Sequence, residues 1–152
     1  MRRVEFLDAG LPLLVAVSPT QFDEPEMQSL REGFERYFAR GEKYALLWTL
    51  AKGHRSPGWR ERKLVGEWIS HPRVVDFTKR LCVGAAAVVP NAIERGALAG
   101  IMLFGKPATP FRAVANSAEG LDFCFEHLAK AGLALPKPAD LLRFETLRAL
   151  GE

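Results

Sequence analysis

At 152 residues with a formal net charge of +3, the chain fits one domain, long enough to bury about 70% of the surface its unfolded form would expose. Hydrophobic residues make up 48% and charged residues 26%, values that exclude disordered and fibrous classes. No apolar run reaches the roughly 18 residues that span a bilayer, and acids interrupt the N-terminal MRRVEFLDAG where a signal peptide would be apolar, so a soluble, cytoplasmic protein without membrane insertion is expected.

Val4 to Asp8 and Leu13 to Val17 read as two short strands of a hairpin, parted by Gly10 and Pro12. Asp23 and Glu26 have capping-box spacing, with Phe22 and Met27 at the staple positions, and open a helix. Met27, Leu30, Phe34, Tyr37 and Phe38 form its apolar face, and Gly41 stands where a left-handed C-terminal residue belongs. Tyr44 to Leu50 is a near-continuous apolar strand, the pattern of a strand covered by helices on both sides. Ala51 to Ser56 forms the loop beyond it. Ser56 then caps a helix with Pro57 in its first turn, and Leu64, Val65, Trp68 and Ile69 supply the inward face until Ser70-His71-Pro72 interrupts it. A second helical piece carries Val74, Val75, Phe77 and Leu81.

Val83 to Val89 reads as a buried strand in which Gly84 and the alanines let a helix approach closely. Asn91 and Glu94 repeat the capping-box spacing before a helix with Ile93, Ala97, Leu98, Ile101 and Phe104 on its apolar stripe, closed by Gly105. Gly96 and Gly100 suggest close packing of that helix on the sheet. Phe111 to Ala115 is the last strand. Asn116 and Glu119 open a final domain helix with Leu121, Cys124, Phe125 and Leu128 inward. After the connector Leu133-Ala-Leu-Pro-Lys-Pro, the segment with Leu141, Leu142, Phe144, Leu147 and Leu150 is too short to persist as an isolated helix and must pack on the domain or on a partner. The expected fold is α/β, a mixed sheet of about five strands covered by helices over residues 1–132, with the connector and helix of 133–152 added.

Cys82 and Cys124 sit in apolar segments without CxxC spacing, and His54, His71 and His127 lie in no metal-binding pattern. Free core thiols and no metal are expected. Charge is distributed unevenly: residues 1–51, 52–80 and 81–152 carry −2, +5 and 0. The basic side chains cluster at the loop and the helix start, with Lys52, Arg55, Arg60, Arg62 and Lys63 against one acid, Glu61. Two readings stand side by side: a plainly solvated face, or a surface for an anionic partner.

The hairpin, the helix at 23–40, YALLWTL, a Ser-x-Gly loop leading into a helix, VGAAAVV and PFRAVANSAEGLDFCFEHL follow one another in an order that resembles the STAS or SpoIIAA-like domains over residues 4–132. In the anti-sigma-factor antagonists of that family the loop after the third strand carries an Asp-Ser-Ser/Thr-Gly-hydrophobic motif phosphorylated by a partner kinase. Here the stretch is Arg55-Ser56-Pro57-Gly58-Trp59. Ser56, Gly58 and Trp59 fit, while Arg55 and Pro57 depart from it. The resemblance implies Ser56 as a phosphorylation site, against the reading of Ser56 as a helix cap alone.

An enzyme needs convergent acid, base and nucleophile groups. Ser56 and His54 stand two apart with no GxSxG elbow, no P-loop is present, and Glu61 and Glu67 fall on different sides of a helix. No catalytic residues, cofactor or metal ligands are assigned. The expected function is a non-catalytic regulatory or protein-interaction module of bacterial-signalling type. Lys52, His54, Arg55, Ser56, Trp59, Arg60, Arg62 and Lys63 would meet a protein partner with an acidic surface. The alternatives are a carrier of a small apolar ligand or lipid between helix and sheet, as in the lipid-binding domains with which some relatives are compared, and an enzyme of unidentified class. Nucleic-acid binding is not expected, since the basic segment lacks interleaved aromatics beyond Trp59.

Overall fold

The computed structural model describes residues 3–53, 59–104 and 107–152, with residues 99–104 as backbone only. The elements run β1 (Glu5–Leu7), β2 (Leu13–Ser18), α1 (Glu24–Arg40), β3 (Tyr44–Leu50), α2 (Trp59–Ile69), α3 (Pro72–Leu81), β4 (Cys82–Val88), α4 (Ala92–Phe104), β5 (Phe111–Val114), α5 (Ser117–Lys130) and α6 (Ala139–Ala149). The strands form one mixed sheet in the order β1-β2-β3-β4-β5. β1 pairs antiparallel with β2, as the hairpin requires, and every later pairing is parallel. No described helix is long and apolar enough to cross a membrane.

Alternation along the central strands feeds two cores. Leu14, Ala16, Tyr44 and Leu46 face α1, α2 and α3, where Met27, Leu30, Phe34, Phe38, Val74 and Leu81 are buried. Leu13, Val15, Ala45 and Leu47 face the opposite way, toward Leu121, Cys124 and Leu128 of α5 and Leu142 of α6. The parity is shifted in β4, because a register irregularity at Tyr44/Ala45 pairs Tyr44 with Cys82 but Ala45 with Gly84. Gly84 thereby faces α5, where a Cβ would come within 2.8 Å of the His127 Cβ. Gly120 does the reciprocal work from the helix, since a Cβ there would meet Leu47 Cδ1 at 2.4 Å. The glycine in VGAAAVV therefore admits a close helix, as its sequence suggests.

Helix ends follow local chemistry. Gly41 adopts φ 66° and its N–H donates to the Phe38 carbonyl. The Asn116 side chain accepts from the Glu119 N–H at 2.9 Å while Glu119 Oε2 accepts from the Ala115 N–H at 3.1 Å. Asn91 Oδ1 accepts from the Ile93 and Glu94 N–H groups. His71, unforeseen as a cap, accepts at Nδ1 from the Arg73 N–H at 3.2 Å ahead of Pro72.

Four expectations are corrected. Asp23 occupies the N-cap of α1 but its side chain caps nothing, and Glu26 is fully buried on the inward face with Leu30. Phe125 is only partly buried on the flank of α5, whereas Phe123 is 6% exposed, with His127 4.3 Å away and the Arg112 guanidinium 4.9 Å from its ring. Ile93 is 84% exposed and a Cβ on Gly96 would meet nothing within 4 Å, so the described part of α4 does not pack as the stripe implies. α6 docks on this chain through Leu142 and Leu147, with Leu150 just past its end, yet Leu141 and Phe144 face solvent.

Candidate functional site

The carboxyl ends of β2, β3, β4 and β5 converge at one end of the sheet, where open α/β folds assemble their functional groups. β3 leaves the ladder at Ala51, whose N–H donates to the Ser18 carbonyl at 2.8 Å, and Gly53 turns the chain with φ 90°. The described chain resumes at Trp59, the start of α2. His54, Arg55 and Ser56 lie outside the described residues, and so does the capping or phosphorylation role of Ser56.

α2 buries one acid with its apolar residues and leaves Arg60, Arg62, Lys63 and Glu67 exposed. Glu61, Leu64, Val65 and Trp68 recur at helical spacing on the inward face, where Trp68 packs with ring centroids 5.1 Å from Phe34 and 6.4 Å from Phe38. Glu61, the one acid counted among the basic residues, is therefore 6% exposed and withdrawn from the surface. Lys52, Arg60, Arg62 and Lys63 are exposed, and Trp59 is 65% exposed. Arg60 lies 3.6 Å from Asp23 of the α1 cap, with its guanidinium 5.8 Å from the Trp59 ring. No described residue forms an ion pair with Lys52, Arg62 or Lys63. The structure thus brings Lys52, Trp59, Arg60, Arg62 and Lys63 to one end of the domain.

Next to them is a concavity of about 280 Å³ lined by Thr49, Lys52, Pro90, Ser117 and Leu150, among others. Its floor is neutral, because Thr49 Oγ1 and Ser117 Oγ hydrogen-bond to each other at 2.8 Å and are both buried. A second concavity, about 380 Å³, lies at the opposite strand ends, lined by Leu11, Tyr37, Tyr44 and Leu133 with Arg40 and Lys43. Tyr37 donates there to Asp8 Oδ2 at 3.0 Å, and burial followed by that carboxylate raises its phenol pKa. Both concavities sit at strand ends, and side chains fill the layers between helices and sheet.

Catalytic groups do not converge among the described residues. His71 is spent on its helix cap and His127 on packing against Phe123. Cys82 and Cys124 are free and buried, one in each core, with burial raising the Cys82 thiol to about 11 and pushing Cys124 upward as well. Thiols in that state are poor nucleophiles. No group of three His, Cys, Asp or Glu among the described residues could hold a metal ion. Sequence reasoning missed the burial of Glu26 and Glu61, although Glu61 shares the spacing of Leu64, Val65 and Trp68. It also missed the exposure of Ile93, which has no signal in an otherwise apolar helix. Compared with known proteins, the chain matches no family model, no curated protein and no solved structure.

Proposed function

We propose that the chain is a non-catalytic docking module of STAS-like organisation that recognises a partner with an acidic surface. The element order supports that organisation, and the loop the resemblance singles out leads into the basic end described above. One observation carries the functional reading: α2 turns its only first-turn acid, Glu61, inward and leaves Lys52, Arg62 and Lys63 exposed without ion pairs among the described residues, next to an exposed Trp59. Exposed tryptophan and arginine are the residue types that most often dominate binding energy.

Arg62→Glu with Lys63→Glu tests it better than a change at Arg60, which Asp23 already engages. Binding of the wild type and the double variant to polyglutamate, and to partner recovered from native lysate, is compared at low ionic strength. The variant binds about tenfold more weakly or worse, with a thermal midpoint nearly unchanged, since rim charges act on association and not on the core. Equal affinities leave only a solvated face.

A further inference from the structure

The carboxyl end of the sheet exposes apolar groups as well as charge. Trp59 opens α2 and Ile93 lies in the first turn of α4; both helices start where adjacent parallel strands, β3 and β4, end. Lys52 and Pro90 line the same concavity, so the residues just past β3 and those just past β4 are neighbours. Trp59 is 65% and Ile93 84% exposed, the two largest exposures among the large hydrophobic residues described. In the first two turns of α4 the polarity is inverted: Ala92, Ile93, Gly96 and Ala97 are exposed, while Glu94 and Arg95 are half-buried and Arg95 donates to the Val89 and Pro90 carbonyls.

The acids around this end are largely occupied. Asp23 faces Arg60, Glu24 accepts from Arg31 at 2.7 Å, Glu119 accepts from the Ala115 N–H, and Glu26 and Glu61 are buried. Glu152, exposed beside the concavity, and Glu94, half-buried next to Ile93 without an ion pair among the described residues, oppose the pattern. What protrudes is two separate apolar side chains, Trp59 with Arg60, Arg62 and Lys63 around it in the first turns of α2, and Ile93 at the start of α4. A protein hot spot buries its apolar anchors in a pocket of the partner, whereas a bilayer interface takes single protruding apolar side chains with flanking Lys and Arg on the lipid phosphates. Tryptophan also favours the level of the headgroups.

We infer that the acidic surface is that of an anionic lipid bilayer, on which Trp59 and Ile93 enter the headgroup region while Lys52, Arg60, Arg62 and Lys63 contact lipid phosphates. The inference rests on the docking reading above and names its partner. Docking is peripheral, with no helix crossing the bilayer.

The test is sedimentation of the full chain with phosphatidylcholine vesicles and with vesicles of equal parts phosphatidylcholine and phosphatidylglycerol, at low and physiological salt. Binding is expected to the phosphatidylglycerol vesicles alone and to weaken with salt. Each charge near the surface is worth roughly fivefold in partitioning, so Arg62→Gln with Lys63→Gln lowers it by about 25-fold. Ile93→Ser lowers it roughly tenfold. Bromine-labelled acyl chains quench wild-type fluorescence on binding but leave that of Trp59→Phe unchanged, because Trp48 is held by Ser18 and Trp68 by the aromatic core. Thermal midpoints show that each variant is folded. Polyglutamate separates the outcomes. No vesicle binding together with polyglutamate binding that Arg62→Glu with Lys63→Glu abolishes would make an acidic protein the occupant: the bilayer inference falls and the docking reading stands. Binding to neither overturns both, and equal binding to both vesicle types overturns the assignment of the cations to an anionic lipid surface.

Discussion

Phe34→Ala removes the ring on which one core is centred. Phe34 is 2% exposed, and its centroid lies 5.3 Å from Phe6 in an edge arrangement, 6.0 Å from Phe38, 6.3 Å from Trp48 and 5.1 Å from Trp68. Those four partners come from β1, α1, β3 and α2, elements that cannot collapse together into the space left behind. The cost is therefore at the upper end of the roughly 3–5 kcal/mol range for buried aromatic truncation. Against a total stability of about 5–15 kcal/mol and a urea slope of about 2 kcal/mol per molar, the urea midpoint falls by roughly 2 M. Phe125→Ala is the internal control. Its ring is only partly buried, so it loses less transfer energy and leaves no closed cavity. Unfolding curves followed by tryptophan emission compare the two, since Trp48 and Trp68 border Phe34. A drop for Phe125→Ala as large as that for Phe34→Ala would refute the assignment of the core's centre.

Two further predictions follow from close contacts and charge. Gly84→Ala forces a methyl to within 2.8 Å of the His127 Cβ and costs about 1–3 kcal/mol, whereas Gly96→Ala meets nothing and stabilises by up to about 1 kcal/mol; thermal midpoints moving in the same direction would contradict this geometry. Glu35 accepts from Arg73 Nη2 at 2.7 Å across α1 and α3, and the hydrogen bond to Arg73 holds its carboxyl below the usual range. A depressed folded pKa contributes stability above the unfolded carboxylate range and loses it as pH falls through the folded value. The contribution is small for a pair this exposed, and the midpoint difference between wild type and Glu35→Gln should shrink on acidification; a constant difference would assign the effect to something other than ionisation.

Much of the architecture was legible because it rests on periodicity. The strand YALLWTL forms at its expected bounds, Tyr44–Leu50, and the aromatic face of α1 is buried as its spacing requires. β4 starts one residue earlier than VGAAAVV suggests, at Cys82, because the register irregularity beside Tyr44 lets Cys82 join the ladder. Burial at the helix flanks was not legible. Phe123 is covered by His127 and Arg112, two polar neighbours that a pattern of apolar residues cannot reveal. Capping boxes were legible in part: Asn116 Oδ1 accepts from the Glu119 N–H and Glu119 reaches back to the Ala115 N–H, one residue before the cap, but at Asp23 the side chain caps nothing and Glu26 is buried. Of the candidate site, the cluster of basic residues was plain in the sequence. The fate of its one acid was not.

That fate sets the sign of the surface. Burying a carboxylate costs free energy unless its surroundings favour the charge. Glu26 and Glu61 both lie in the first turn of a helix, where unpaired N–H groups and the helix dipole favour an anion and offset part of the cost. A lysine in the same place would gain nothing from the dipole, so first-turn acids can be drawn inward while the cations that follow, Arg62 and Lys63, stay in water. Between Ala51 and Lys63, the described residues that reach solvent carry four cations and no acid, although the sequence counts Glu61 among them. A count of charges along the chain therefore understates the positive character of this end, and so does the modest total of +3. Electrostatic attraction here depends on which side chains the fold exposes. A substitution that returned Glu61 to the surface would weaken it as surely as one that removed a cation.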